Sequence, residues 1–139
     1  MDVKLINLKG GCLCGAIRYQ VNAKPFDADY CHCRQCQLSS GAVVMSWMDF
    51  KAEQLVWLKG QTKEFSSSDK VRRGFCQDCG CSLSYRHIDY PDYVTLSIAS
   101  LDEPNQVSPN YHIYTVNQVS WLNIDDNCKR YKLARSETN

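Results

Sequence analysis

Apolar and polar residues alternate along this chain in short stretches punctuated by turn residues, with no sustained 3.6-residue period, and the pattern predicts a mostly β protein. Residues 3–9 alternate loosely, Val3, Leu5 and Leu8 against Lys4, Asn7 and Lys9, and predict a strand that Gly10-Gly11 breaks. Cys12-Leu13-Cys14-Gly15 reads as a turn, and residues 16–21 as the returning strand. Residues 26–30 follow Pro25 as a short strand, and residues 37–40 have room for a single helical turn stopped by Gly41. Residues 42–50, rich in Val, Met and Trp, are the strongest strand candidate, with 54–58 next. Residues 62–67 and 71–75 flank the polar turn Ser68-Asp69-Lys70 and predict a hairpin. Strands at 82–85, 93–98, 111–116 and 119–124 complete the set, with a Pro- and Asn-bearing loop at 102–110 and a polar tail from Arg135 that is expected to fray.

At 139 residues the chain is expected to be a single domain. Its hydrophobic fraction of 44% and charged fraction of 22% are those of a soluble globular protein. The 16 Lys and Arg are scattered and the net charge is +1, which argues against a dedicated nucleic-acid surface. The N-terminal stretch lacks the apolar run of a signal peptide, and runs such as residues 42–45 are far too short to span a bilayer. A cytoplasmic setting is therefore expected, with no membrane partner.

Cysteine placement changes the picture most. Eight of the nine cysteines fall in three clusters: Cys12 and Cys14; Cys31, Cys33 and Cys36; and Cys76, Cys79 and Cys81; only Cys128 stands apart. Thiols two or three positions apart are hard to join in an unstrained disulfide, whereas a tetrahedral metal gathers such pairs from separate turns. In a reducing compartment, clustered thiols read as ligands, and an odd count would leave a disulfide framework with one thiol over. Counting ligands suggests two Zn2+ ions, with an iron centre as a lesser alternative for four sulfurs. Cys12, Cys14, Cys76 and Cys79 make a closed structural site, leaving Cys31, Cys33 and Cys36 with a vacancy; spacing alone also permits a closed site from Cys31, Cys33, Cys36 and Cys81.

The motifs Gly11-Cys12-Leu13-Cys14-Gly15-Ala16-Ile17-Arg18-Tyr19, Cys31-His32-Cys33-Arg34-Gln35-Cys36 and Phe75-Cys76-Gln77-Asp78-Cys79-Gly80 resemble those of the glutathione-dependent formaldehyde-activating enzyme (Gfa) family, which includes centromere protein V. Ser100-Leu101-Asp102-Glu103-Pro104, His112-Ile113-Tyr114 and Trp121 extend the resemblance over roughly residues 10–131. The resemblance implies a β-tent of stacked antiparallel sheets with zinc knuckles. It implies a structural zinc at Cys12, Cys14, Cys76 and Cys79 and a more labile one at Cys31, Cys33 and Cys36. It also implies a carbon–sulfur lyase or synthase that joins formaldehyde to the glutathione thiol. Cys81 departs from the pattern, since many relatives carry a small hydroxyl residue there. It is either a bystander, the favoured reading, or an extra ligand that would close the middle site.

The remaining chemistry is assigned around that centre. Zinc held by Cys31, Cys33 and Cys36 is expected to bind a small thiol such as glutathione, or the aldehyde's carbonyl oxygen, with Arg34 and Gln35 placed to contact a substrate carboxylate. His32 is expected to point away from the metal, His112 to be a satisfied structural histidine or a proton shuttle, and His87 to be an exposed loop residue. Trp47, Trp57 and Trp121 read as core. The rival from another class is a noncatalytic zinc-binding adaptor for protein or nucleic acid.

Overall fold

The computed structural model describes residues 6–135. In chain order these form β1 (Leu8–Gly11), β2 (Arg18–Val21), β3 (Asp27–Cys31), α1 (Arg34–Ser40), β4 (Met45–Lys51), β5 (Leu55–Lys59), β6 (Lys63–Ser66), β7 (Val71–Phe75), β8 (Ser82–His87), β9 (Tyr93–Ser97), β10 (Tyr111–Ile113) and β11 (Lys129–Arg130). Strands β1, β2 and β5 make a three-stranded antiparallel sheet, and the others an eight-stranded sheet in the order β11-β10-β3-β4-β9-β8-β7-β6. Among the described residues, no helix is long and apolar enough to cross a membrane.

Cross-strand partners share a face, and side chains alternate along each strand. In the large sheet one row of partners runs Ala28, Met48, Leu96, Ser84, Gly74. Its apolar members meet Leu8, Tyr19 and Val21 of the small sheet, with Phe50, to form the main core. The neighbouring row runs Asp27, Asp49, Thr95, Tyr85, Arg73 and faces the other way. Asp29 and Cys31 lie on this second face, because they stand two and four positions from Asp27 on β3. The polar face of the sheet therefore carries the middle cysteine cluster.

Four expectations need correction. Gly10 and Gly11 do not break the first strand but end it, paired with Tyr19 and Arg18. A Cβ at Gly10 would lie 2.4 Å from the Ser100 carbonyl oxygen and 2.5 Å from the Tyr19 hydroxyl, so glycine is there for close approach. Helix α1 begins at Arg34 and contains Cys36, because Cys33 caps it: its Sγ accepts from the Cys36 N–H, as a serine hydroxyl would. Residues 119–124 form no strand, since β11 already occupies the β10 edge, and Arg130 and Gln118 side chains serve the Ile124 and Leu122 carbonyls instead. The stacked sheets are antiparallel except at β10, which pairs in parallel with both β3 and β11. The long crossover from β9 permits that orientation. The first part of the expected strand at 3–9 and most of the tail from Arg135 lie outside the described residues.

The segment that follows β9 is locked onto the small sheet. The Tyr19 hydroxyl meets Ser100 Oγ at 2.7 Å, and Arg18 Nη1 donates to Asp102 Oδ1 at 2.8 Å. Gly10 and Leu101 form an isolated bridge at the same place. The Ser100–Asp102 motif thus anchors the small sheet.

Candidate metal centres and the adjoining cavity

The first centre joins two turns remote in sequence. Cys12 and Cys14 lie on the β1–β2 connection, where the Cys12 N–H bonds the Ile17 carbonyl and Gly15 takes φ 81°. Cys76 and Cys79 lie on the β7–β8 connection, closed by Gly80 N–H to Cys76 O at 2.8 Å with Gly80 at φ 77°. Left-handed glycine lets each turn point two sulfurs at one spot. The four Sγ atoms lie within 4.8 Å of one another. The Ile17 N–H donates to Cys12 Sγ at 3.3 Å, a backbone contact that favours thiolate.

The second centre is local. Cys31 ends β3, Cys33 caps α1, and Cys36 sits in the helix's first turn, with all three sulfurs within 4.8 Å. Cys31 and Cys36 Sγ are 3.2 Å apart. Sulfurs so close cannot all ionise without a compensating cation: Cys31 is pushed strongly up by Cys33 and Cys36, while contacts from Cys31 and Cys36 hold Cys33 far down. An all-sulfur donor set of this compactness fits a soft or borderline divalent metal at both centres. Arg73 adds positive charge beside the second, its Nη1 3.6 Å from Cys36 Sγ and its guanidinium over the Tyr85 ring.

Cys81 is not brought to the middle cluster. It packs with Cys12, Cys76, Leu83 and Ile17, because the tight β7–β8 turn carries it to the first centre with Cys79. The geometry therefore does not assemble the closed alternative of Cys31, Cys33, Cys36 and Cys81. Cys128 stays apart, its thiol facing the Pro109 carbonyl.

A cavity of about 500 Å³ opens beside the three-cysteine centre, lined by Cys31, Cys33 and Cys36. Arg34 and Gln35, both exposed, stand at its rim, although Arg34 Nη1 is engaged by Gln37 Oε1 at 2.7 Å. The wall contains groups that motif reading did not single out: Asp29, Asp49, Arg73 and Tyr85. Burial first, then the charges of Asp49 and Asp27, push the Asp29 carboxyl up to about 8. Burial likewise raises Asp49 to about 6 against the Thr95 hydroxyl that bonds it. The signal was available, since Asp27 and Asp29 alternate along the predicted strand at 26–30, in step with Cys31 just beyond it.

His32 does turn away from the sulfurs, into a fully buried stack rather than to the surface. Its Nε2 meets His112 Nδ1 at 2.8 Å, and His112 Nε2 meets Asp126 Oδ2 at 2.9 Å. Burial, then the His112 and Arg130 charges, lowers His32 to about 4, so it is neutral at pH 7. Asp126 was invisible to motif reading because it lies in irregular chain. His112 is 0% exposed and has both ring nitrogens engaged, the structural histidine of the two expectations. His87 is not in a loop; it ends β8, half-buried against the Tyr90 ring. Trp47 is buried and Trp57 half-buried, but Trp121 is 71% exposed, since its segment never joins a sheet.

This places the chain among mostly β proteins built around cysteine clusters able to hold metal ions, one of them opening on a cavity. The model of the family described as glutathione-dependent formaldehyde-activating enzyme matches residues 7–117, and the chain belongs to that family. The crystal structure of a Rhodobacter sphaeroides protein shares the fold, with a TM-score of 0.57 and 23% identity over 73% of this chain and 91% of the other. No curated protein matches the chain in sequence.

Proposed function

We propose that this protein is a zinc-dependent carbon–sulfur lyase or synthase acting on small thiol–aldehyde adducts, of the S-(hydroxymethyl)glutathione type. Cys12, Cys14, Cys76 and Cys79 would hold a structural zinc, and Cys31, Cys33 and Cys36 a second. The observation that carries the reading is that the three-cysteine centre, with no fourth cysteine beside it among the described residues, is the one that lines the cavity. Zinc bound there would hold an incoming thiol as thiolate at neutral pH, where a free thiol with a pKa of ~8.5 is mostly protonated.

In the synthetic direction a sulfur–carbon bond forms between thiol and aldehyde carbon, the carbonyl π bond breaks, and the thiol proton ends on the resulting hydroxyl. The chain's own side chains prepare this step. Arg73 lies against Cys36 Sγ and offers positive charge on the sulfur side of the cavity. Trp47, Tyr85 and Ile113 supply an apolar wall that excludes competing water. Arg34 and Gln35, which line the cavity, would contact a substrate carboxylate. The adaptor reading calls for a closed middle centre, and the position of Cys81 beside the first cluster counts against it. The setting we propose is the cytoplasm, where such thiols stay reduced.

Cys33→Ser tests the reading without dismantling the helix, since serine is a good N-cap. The variant should keep its fold, lose one equivalent of zinc and lose formaldehyde–glutathione adduct formation. Unchanged turnover after loss of that zinc would overturn the proposal.

A further inference from the structure

The cavity beside the three-cysteine centre is electrically lopsided. Arg73 sits at the sulfur end, against Cys36. Asp29 and Asp49 sit further along the same wall. Register explains the placement: Asp29 precedes Cys31 by two residues on β3, a strand distance of about 7 Å, and Asp49 lies diagonally across on β4, opposite Asp27.

The three acidic groups on this face of the sheet, Asp29 and Asp49 in the wall and Asp27 beside them, are not equally satisfied. Asp27 Oδ2 accepts from the Tyr111 hydroxyl at 2.6 Å and pairs with Arg135 at 3.3 Å. Asp49 Oδ1 accepts from the Thr95 hydroxyl at 2.6 Å. Asp29 has only a long contact, 3.4 Å, from the Tyr111 hydroxyl to its Oδ2. Its Oδ1 is buried without any hydrogen-bond partner, in a side chain whose residue is 8% exposed. Among the described residues, no basic side chain lies within ion-pair distance of Asp29 or Asp49. A buried acceptor left unsatisfied costs stability, and sites keep such groups where a ligand completes them.

We infer that Asp29 and Asp49 form the ammonium-binding end of the cavity, so that the thiol it selects is one carrying a positively charged amine about three carbons or more from sulfur. This inference rests on the thiol-binding reading of the three-cysteine centre and adds the specificity to it. The amine donates to the orphaned Asp29 Oδ1 and to the Asp49 carboxylate, while the sulfur lies at the Arg73 end. The two carboxylates touch no reacting atom in this arrangement; they decide which thiol is held.

The test uses three thiols of matched reach and different charge: 3-aminopropane-1-thiol, 3-mercaptopropan-1-ol and 3-mercaptopropionate. Each is titrated by calorimetry into the zinc-loaded full chain and into its Asp29→Asn and Asp49→Asn variants, with zinc content checked. The aminothiol should bind wild type at least about tenfold more tightly than the alcohol, the scale of a charge-assisted hydrogen bond. The carboxylate should bind more weakly than either. In Asp29→Asn the aminothiol should lose most of that advantage, the alcohol should be unchanged, and the carboxylate should improve. A merely structural role for Asp29 would shift all three alike.

Equal binding of the three thiols to wild type would overturn the ammonium end and leave the thiol reading standing. So would an aminothiol preference that survives both substitutions. Failure of every thiol to bind would overturn the thiol reading itself, and with it this inference.

Discussion

Asp49 shows how a single side chain records the character of the cavity wall. Its carboxyl is raised to about 6 by burial, partly offset by the Thr95 hydroxyl. In the unfolded chain an aspartate titrates near ~3.9. Between those values the folded protein keeps a proton that the unfolded chain has released, so this group's contribution falls as pH rises through the window and is level above it. The loss amounts to about 3 kcal/mol at most. Asp49→Asn removes the titration. Urea unfolding should therefore show the variant gaining on wild type from about pH 4 to pH 6 and holding a constant difference above that. A difference independent of pH across the window would contradict the burial argument.

Turns and strand ends act as elements, and two of them show what glycine and cysteine contribute beyond ligation. Gly10 lets β1 lie against the Ser100 carbonyl and the Tyr19 ring, at the isolated bridge to Leu101. Gly10→Ala should cost about 1–3 kcal/mol by chemical denaturation, because backbone must move to admit the methyl. The dipeptide looked like a breaker in sequence, where glycine's conformational freedom is visible and the neighbour it makes room for is not. Helix α1 was similarly underestimated. Its start depends on a thiol acting as N-cap, a role usually filled by oxygen, so Cys33 was read as a ligand alone. Both misreadings arise where one residue answers to two constraints.

On the scale of the whole molecule, the two metal centres should differ in what they hold together. The four-cysteine centre ties the β1–β2 turn of the small sheet to the β7–β8 turn of the large one. The three-cysteine centre ties one strand end to the helix that follows it. Metal binding energy at the first would thus be shared with sheet–sheet assembly, and at the second with a local loop. Graded chelation should release the second ion first with far-UV circular dichroism unchanged, and cooperative melting should fail only when the first is lost. Cys76→Ser should destabilise the protein far more than Cys33→Ser. Equal losses for the two variants would refute this division of labour.

The sequence alone determined the β class, most strand positions, the three thiol clusters and the family. Each of these is written in short-range spacing: alternation over a few residues, or pairs of thiols two or three apart. It also held the alternation of Asp27, Asp29 and Cys31, but not its meaning. Only the tertiary structure decided that Cys81 joins the first cluster, that His32 is buried against His112 and Asp126, and that two acidic residues and Arg73 share a cavity with the second cluster. Those facts depend on strand register and on which turn lies beside which. Residues such as Asp29 and Arg73, which line one cavity, come from strands far apart along the chain, and no local pattern announces that they share it.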